Sequence, residues 1–199
     1  MSAIHHTMMS GGYGKEIPYV LFGNSCGVDT GILPSYDFRW EFGMKFVSSC
    51  GNSVLGTMGG NDNNDFRFFY DKPMYFDAGY RRNSLNWSSS IQEWHDYIIS
   101  NDKAIMDEEE KSITIPSSIV IPFNIMIGKD NSPRWQEQNN GVLGNDAIFY
   151  LKYFRMFNNG EIVRDYHAWI DGKGNPCLFE KVENKEVYAY TEMPIAQEI

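Results

Sequence analysis

The clearest pattern in the chain is an alternation of large apolar and polar residues over residues 36–47. The apolar side chains at every second position are Phe38, Trp40, Phe42, Met44 and Phe46. Successive side chains of a β-strand point to opposite faces of its sheet, so this period predicts a strand with one buried and one solvent-facing side. Burial of one such side chain stabilises a fold by about 1.5–3 kcal/mol, and a slip of one residue would therefore be strongly unfavourable.

Shorter runs with strand character are separated by clusters of Gly, Asn, Asp and Pro. They cover residues 53–58, 66–70, 74–80, 94–100, 104–106, 112–115, 123–127, 148–157, 161–169, 177–182 and 186–190. Residues 158–160 (NNG) predict a tight hairpin, because Asn-Gly accepts the positive φ angles of such a turn. Residues 183–185 (ENK) predict a second hairpin. About a dozen strands without a helix predict an all-β, two-sheet antiparallel jelly-roll sandwich.

Three other segments lack a strand period. Residues 1–16 (MSAIHHTMMSGGYGKE) predict a flexible N-terminal arm, either disordered or ordered by a partner, which leaves residues 17–199 as a single domain. Residues 108–110 (EEE) precede β-branched residues and Pro116, which favours a charged turn over a helix. Residues 128–145 form a long polar loop, a kind of segment that is often functional in compact domains.

Charge and composition narrow the classes of partner. The formal net charge is −9 and no basic run exceeds the pair Arg81-Arg82, so a nucleic-acid backbone would be repelled. The pattern of a signal peptide is missing from residues 1–14, and we find no apolar run as long as a membrane span. We therefore expect neither nucleic acid nor a membrane as a partner. Cys26, Cys50 and Cys177 have no metal-site spacing, which predicts buried free thiols.

Residues 150–166 (YLKYFRMFNNGEIVRDY) resemble the terminal hairpin "K-I-Y-x-F-K-I-Y-x-N-G-x-L-V-R-D-F" of concanavalin A-like, laminin-G-like domains. Such domains are common in bacteriophage structural proteins and gut-bacterial surface proteins. Residues 27–31 (GVDTG) are similar to the family's "Y-I-D-T-G" motif, and residues 177–182 (CLFEKV) stand where the family has "x-G-L-Y-D-x-V". Trp94-His95 with residues 102–107 resembles the "W-H…V-Y-x-D-G" pair. The resemblance implies the concanavalin A-like jelly-roll fold.

The fold alone does not give a function, since lectins, glycan hydrolases and inert modules share it. Hydrolases with this sandwich use an E-x-D-x-E strand, which is absent here, and we find no catalytic residues and no cofactor motif. The resemblance therefore implies a non-enzymatic virion protein, assembled in the host cytoplasm as a capsid-decoration, head-fibre or tail-associated module. Its expected partners are other virion proteins, further copies of itself as in a trimer, and surface polysaccharide. The alternative is a lectin-like module of a gut bacterium, and a glycan hydrolase is the least favoured.

Two aromatic and basic segments are candidate binding sites. The ligand- or partner-binding candidates are Arg134, Trp135, Gln136, Asn139 and Asn140 in the long loop, and Tyr80, Arg81, Arg82 and Trp87 in a second loop. Exposed Trp and Arg are typical of binding hot spots, although either segment could instead fold back over the core. Asp62, Asn64 and Asp65 form an oxygen-rich candidate for Ca²⁺, for which a polar hairpin turn is the alternative interpretation.

Overall fold

The strand of residues 38–46 and the hairpin of residues 149–170 form the centre of the larger of two sheets. The computed structural model describes residues 14–23, 26–47, 50–58, 65–71, 73–87, 90, 92–128 and 148–189. The strands in this part of the chain are β1 (Lys15–Glu16), β2 (Val20–Phe22), β3 (Val28–Asp29), β4 (Phe38–Phe46), β5 (Cys50–Met58), β6 (Asp65–Tyr70), β7 (Met74–Gly79), β8 (Arg81–Leu85), β9 (His95–Ser100), β10 (Lys103–Met106), β11 (Glu109–Ser112), β12 (Met126–Ile127), β13 (Phe149–Asn158), β14 (Glu161–Ile170), β15 (Pro176–Glu180) and β16 (Lys185–Val187).

The larger sheet has the order β11-β10-β9-β4-β13-β14-β15-β16, and all its pairings are antiparallel. The two short strands β1 and β2 enter this sheet where β13 and β14 separate. Strand β2 pairs with residues 149–151 of β13, and β1 pairs with residues 169–170 of β14. The hairpin itself is paired only as far as Tyr153 and His167, so the N-terminal strands complete the sheet beyond that point.

The smaller sheet has the order β3-β12-β5-β6-β7-β8 and is also antiparallel. Its inner face packs on the inner face of the larger sheet through aromatic rings. The ring centroids of Phe42 and Phe68 are 5.1 Å apart, and those of Trp40 and Phe66 are 5.2 Å apart. Within the described residues the chain is therefore an all-β sandwich of two antiparallel sheets, consistent with a jelly-roll-like fold, as predicted.

The alternation of β4 is confirmed. Its five apolar side chains are buried in the core between the sheets, whereas Arg39, Glu41 and Lys45 lie on the other face. The predicted Asn-Gly hairpin is also confirmed, because Asn159 and Gly160 form the two-residue turn between β13 and β14 with φ angles of 51° and 79°. Positive φ at both positions defines the type I′ turn, whose twist matches that of the flanking strands.

Three predictions differ from the structure. The second aromatic-basic segment was predicted as a loop, but residues 81–85 form strand β8, because Arg82 and Asn83 bond to Asp77 and Phe76 of β7. The triplet 108–110 is only partly a turn, since Glu109 and Glu110 begin strand β11. That strand ends at Ser112, so residues 113–115 lie outside it, although Ile113 and Ile115 are buried.

The predicted arm includes Lys15 and Glu16, which form β1 against β14; residues 1–13 lie outside the described residues. Cys26 and Cys177 are buried free thiols, as expected, and burial raises the pKa of Cys177 to about 12. The side chain of Cys50 is outside the described set. In the described part of the chain we find no helix that is long and apolar enough to cross a membrane.

Candidate ligand-binding face of the larger sheet

The outer face of the larger sheet consists of the side chains that point away from the core on β4, β9, β13 and β14. The strand register arranges these side chains in rows across the sheet. In one row Glu41, Arg155 and Asp165 are paired neighbours on β4, β13 and β14. The guanidinium of Arg155 lies between the two carboxylates, with Nε 3.1 Å from Asp165 Oδ1 and Nη1 3.7 Å from Glu41 Oε2. Arg39 forms a second ion pair with Glu41.

His167 extends this network toward the N-terminal strand. Its Nε2 lies 2.8 Å from Asp165 Oδ1, and its Nδ1 lies 3.2 Å from Glu16 Oε1. Lys181 Nζ approaches the other oxygen of Glu16 at 3.6 Å. Basic side chains and carboxylates therefore alternate across the sheet from Arg39 to Lys181, and strand β1 supplies one of the carboxylates.

The neighbouring row places Tyr153 over a glycine. A Cβ atom on Gly43 would lie 2.8 Å from Tyr153 Cε1, so only glycine leaves room for the ring in this position. The Tyr153 hydroxyl donates a hydrogen bond of 2.9 Å to Asp96 Oδ1. Burial, together with this hydrogen bond, raises the pKa of Tyr153 well above its ordinary value of 10.0, and the phenol is therefore protonated at neutral pH.

A β-bulge in β13 adds a lysine to the outer face. Leu151 pairs with Met44 and Tyr153 pairs with Gly43, so Lys152 is the extra residue between two regularly paired positions. Because of this bulge, Lys152 and Tyr153 both lie on the outer side while Leu151 and Phe154 are buried. Lys152 Nζ stands 4.3 Å from the centroid of the Trp94 ring.

Trp94 belongs to a cluster of three rings at this end of the sheet. The ring centroid of Tyr19 is 5.4 Å from that of Trp94 and 5.0 Å from that of Tyr150. Lys45 Nζ lies 6.0 Å from the centroid of the Tyr150 ring. The three rings are half-buried and Lys152 is exposed. We name Tyr19, Lys45, Trp94, Tyr150 and Lys152 the aromatic–lysine patch.

His95 is held at the start of β9 by two acceptors. Its Nδ1 lies 2.7 Å from Asp107 Oδ2 and its Nε2 lies 2.8 Å from the carbonyl oxygen of Ser90. Neither a carboxylate nor a carbonyl has a proton to donate, so both ring nitrogens must donate and the ring carries a positive charge. Burial alone would lower the pKa of His95, but the bonds to Asp107 and Ser90 outweigh it and raise the pKa above 6.5. His95 thus holds the start of β9 to Asp107 and Ser90.

The side chains of this face can form charged, hydrogen-bonding and apolar contacts with a ligand. The carboxylates of Glu41 and Asp165 are both bound to Arg155, and Asp96 is bound to the hydroxyl of Tyr153. Among the residues that the structure describes, no group of three or more His, Cys, Asp or Glu side chains is arranged to hold a metal ion. The exposed Lys152 and the half-buried Lys45, each beside a half-buried aromatic ring, offer both a charged and an apolar contact to a ligand.

The predicted residues of the second segment do not converge on one site. Tyr80 is a turn residue with 64% of its surface exposed, and Arg81 lies over its ring at 5.0 Å. Arg82 instead forms an ion pair of 3.0 Å with Asp77. Trp87 packs inward, with its ring centroid 5.7 Å from that of Tyr97. Their role in binding stays a prediction.

The other predicted site residues fall largely outside the described residues. These are Arg134, Trp135, Gln136, Asn139 and Asn140 of the long loop, and Asp62 and Asn64 of the calcium candidate. Asp65, the third member of that candidate, opens strand β6, and its carboxylate lies 3.1 Å from Arg67 Nη2. A guanidinium therefore occupies one side of the Asp65 carboxylate.

Sequence analysis did not identify the outer-face residues as a site, because these residues come together only when distant strands pair. The alternation over 36–47 identified Glu41 and Lys45 as solvent-facing, but nothing local joins them to β13 or β9. Tyr19 follows Pro18 in a segment with no clear period. The run Tyr150, Lys152, Tyr153 interrupts a period of two, which is the one local sign of the bulge.

Comparison with known proteins gives no family for the chain. No protein-family model matches it, and no curated protein matches its sequence significantly. The resemblance to concanavalin A-like domains therefore stays a prediction that rests on the residues given above.

Proposed function

We propose that this protein is a non-enzymatic structural protein of a bacteriophage particle, a capsid-decoration, head-fibre or tail-associated module assembled in the host cytoplasm. The observation that carries the proposal is the hairpin at residues 150–166. The residues that resemble the terminal hairpin of phage concanavalin A-like modules form β13 and β14, the central hairpin of the larger sheet. Its partners are other virion proteins, further copies of the chain and surface polysaccharide, to which the module helps the particle attach.

The arrangement of carboxylates supports the non-enzymatic part of this proposal. Retaining glycan hydrolysis needs an acid and a nucleophile about 5–5.5 Å apart on the two sides of the glycosidic bond. On the outer face of the larger sheet, the carboxylates of Glu41 and Asp165 are both in contact with the Arg155 guanidinium between them. A sugar ring has no place between groups that are occupied in this way, and we therefore place a glycan hydrolase last.

The experiment is a quantitative proteomic analysis of purified phage particles from the source of this sequence. We expect this chain in a fixed ratio to the major capsid protein, and we expect immunogold labelling on intact particles. A chain found only in the cell lysate, with unlabelled particles, would overturn the proposal. The neighbouring genes give an independent check, because a virion protein should lie among genes for portal, capsid and tail proteins.

The second candidate is a lectin-like module of a gut bacterium. The aromatic–lysine patch favours it, since partly exposed rings beside polar groups are typical of sugar contacts. Detection of the chain on the bacterial surface in phage-free cultures would favour this candidate and reject the virion assignment.

A further inference from the structure

We infer that the aromatic–lysine patch binds a polysaccharide that carries carboxylate groups, a polyuronate. This inference deepens the glycan-attachment role of the proposed function and rests on it. The patch combines two contacts that such a ligand requires, a surface of packed rings and two lysines that have no ion pair with a carboxylate of the described residues.

The first step of the argument concerns charge. On the same outer face, Arg39, Arg155 and Lys181 are each bound to a carboxylate. Lys45 and Lys152 differ, because neither has an ion pair with any residue that the structure describes, and each lies over an aromatic ring instead. In a chain with a net charge of −9, two lysines without carboxylate partners in one patch form a local positive site.

The second step concerns shape. Tyr19, Trp94 and Tyr150 contact one another with centroid distances of 5.0 to 6.2 Å, and all three remain half-buried. Tyr19 comes from the N-terminal strand segment, Trp94 precedes β9 and Tyr150 belongs to β13. Three sequence-distant segments therefore build one apolar surface, which can contact the C–H face of a sugar ring.

The third step selects the ligand. A neutral glycan would use the rings but leave both ammonium groups without a counter-charge. Nucleic-acid binding draws on several phosphate contacts along the backbone, and this patch offers only its two lysines. A uronate has an apolar ring face and a carboxylate at its rim, and this carboxylate can form a charged hydrogen bond with a lysine of the patch.

The experiment measures binding of the full-length protein to immobilised polygalacturonate. The matched probe is the same polysaccharide with its carboxylates methyl-esterified, which keeps the sugar chain and removes the charge. Poly-L-glutamate supplies the charge without the sugar. We expect binding to polygalacturonate alone, and we expect it to weaken from about 0.05 M to about 0.5 M salt as the charges are screened.

The variants locate the site. Lys152→Gln and Lys45→Gln should each weaken binding about tenfold, the loss of one charged hydrogen bond. Lys173→Gln is the matched control, because Lys173 is also exposed and lies in the turn after β14; we expect its affinity within about twofold of the wild type. Trp94→Leu should weaken binding while thermal melting shows that the variant is folded.

Several outcomes would overturn the inference. Equal binding to the esterified polymer would exclude a role for the carboxylates, and equal binding to poly-L-glutamate would identify an acidic peptide as the partner. No binding to any probe, or equal losses in Lys152→Gln and Lys173→Gln, would reject the patch. These failures are distinct from failure of the virion assignment, because particle proteomics does not depend on any glycan.

Discussion

At the scale of single residues, a fully buried carboxylate fixes the turn between β15 and β16. Glu180 Oε1 accepts hydrogen bonds from the backbone N–H groups of Asp165 and Val182, at 2.8 and 3.1 Å. Its Oε2 accepts the N–H of Glu183 at 2.5 Å. The N–H groups of Val182 and Glu183 lie in this turn and that of Asp165 lies in β14, so the carboxylate joins the turn to the sheet. A buried donor that loses its acceptor is costly.

We expect Glu180→Gln to lower the free energy of unfolding by about 2–3 kcal/mol. The amide oxygen can replace Oε1, but the amide NH₂ would then face the N–H of Glu183, so one hydrogen bond becomes a contact between two donors. Urea unfolding at neutral pH measures the change. Glu108→Gln is the control, since Glu108 lies exposed in a turn; equal effects of the two substitutions would contradict the assigned role.

His95 makes stability depend on pH. Its folded pKa lies above the unfolded value of 6.5, so the His95–Asp107 contact stabilises the fold fully below pH 6.5 and loses this effect as the pH rises through the folded pKa. For Asp107 burial opposes the shift, but its bonds to His95 and the Asp96 N–H lower its pKa below 3.8. Its contribution is therefore present above pH 3.8 and is lost in stronger acid.

We expect the stability difference between the wild type and His95→Gln to shrink as the pH rises from about 6 to about 8.5. Chemical unfolding at several pH values measures it, and an NMR titration of the imidazole gives the folded pKa directly. A difference that stays constant across this range, or that grows with pH, would contradict the assignment of a charged His95.

At the scale of elements, the bulge of β13 can be tested by deletion. Residues 149–151 follow an in-out-in pattern that resumes at Tyr153, with Lys152 as the inserted residue. Deletion of Lys152 should therefore join Leu151 to Tyr153 in a regular strand without moving any buried side chain to the surface.

We expect the chain without Lys152 to fold with a cooperative thermal transition. Deletion of Arg155 is the matched control, because it shifts the following residues by one and turns Met156 away from the core, at about 1.5–3 kcal/mol for each large side chain exposed. Circular dichroism melting compares the two chains. If both deletions were equally damaging, the assignment of Lys152 as the inserted residue would be wrong.

The elements that can be predicted from sequence are those in which a pattern of the element's own residues stabilises its structure. Strand β4 has five buried side chains in alternation, and the β13–β14 turn has an Asn-Gly pair. Strand β8 (RRNSL) has no such pattern and could not be predicted from its own residues. Its position is instead fixed by hydrogen bonds to β7 and by two hydrogen bonds between Asn83 and the backbone of Thr114.

The candidate site was still less predictable. The aromatic–lysine patch joins Tyr19, Trp94 and Tyr150, which are separated by more than fifty residues from one another and meet only through β2, β13, β4 and β9. Strand order is a property of tertiary packing, and no local period encodes it. Sequence analysis placed its candidate binding residues in segments predicted as loops. It gave no candidate on the outer face of the sheet.

At the scale of the whole molecule, the outermost strands of both sheets limit how copies could associate. Strand β11 at one edge of the larger sheet carries an ion pair between Lys111 and Glu109, and β16 at the other edge has only three residues. The outer strand β8 of the smaller sheet is held to Thr114 through Asn83. Charged, short or covered edges disfavour edge-to-edge pairing, so the assembly that we propose should use faces and turns.

The N-terminal strands complete both the core and the outer face. Val20 and Phe22 are fully buried, and Phe22 stacks on Phe149 at 5.0 Å. On the outside, Glu16 meets His167 and Tyr19 contributes to the aromatic–lysine patch. Removal of residues 15–22 would therefore leave a gap between β13 and β14. It would expose part of the core and remove Tyr19 from the patch.

We expect a chain that begins at residue 23 to be less stable than one that begins at residue 14 by at least about 3–6 kcal/mol, the burial of Val20 and Phe22 alone. The free energy of unfolding in urea measures this difference. A synthetic peptide of residues 14–22 should restore part of it in proportion to its concentration, because a segment that binds only the folded chain shifts the unfolding equilibrium. Equal stability of the two chains, or a peptide without effect, would mean that β1 and β2 lie against the sheet without holding it together.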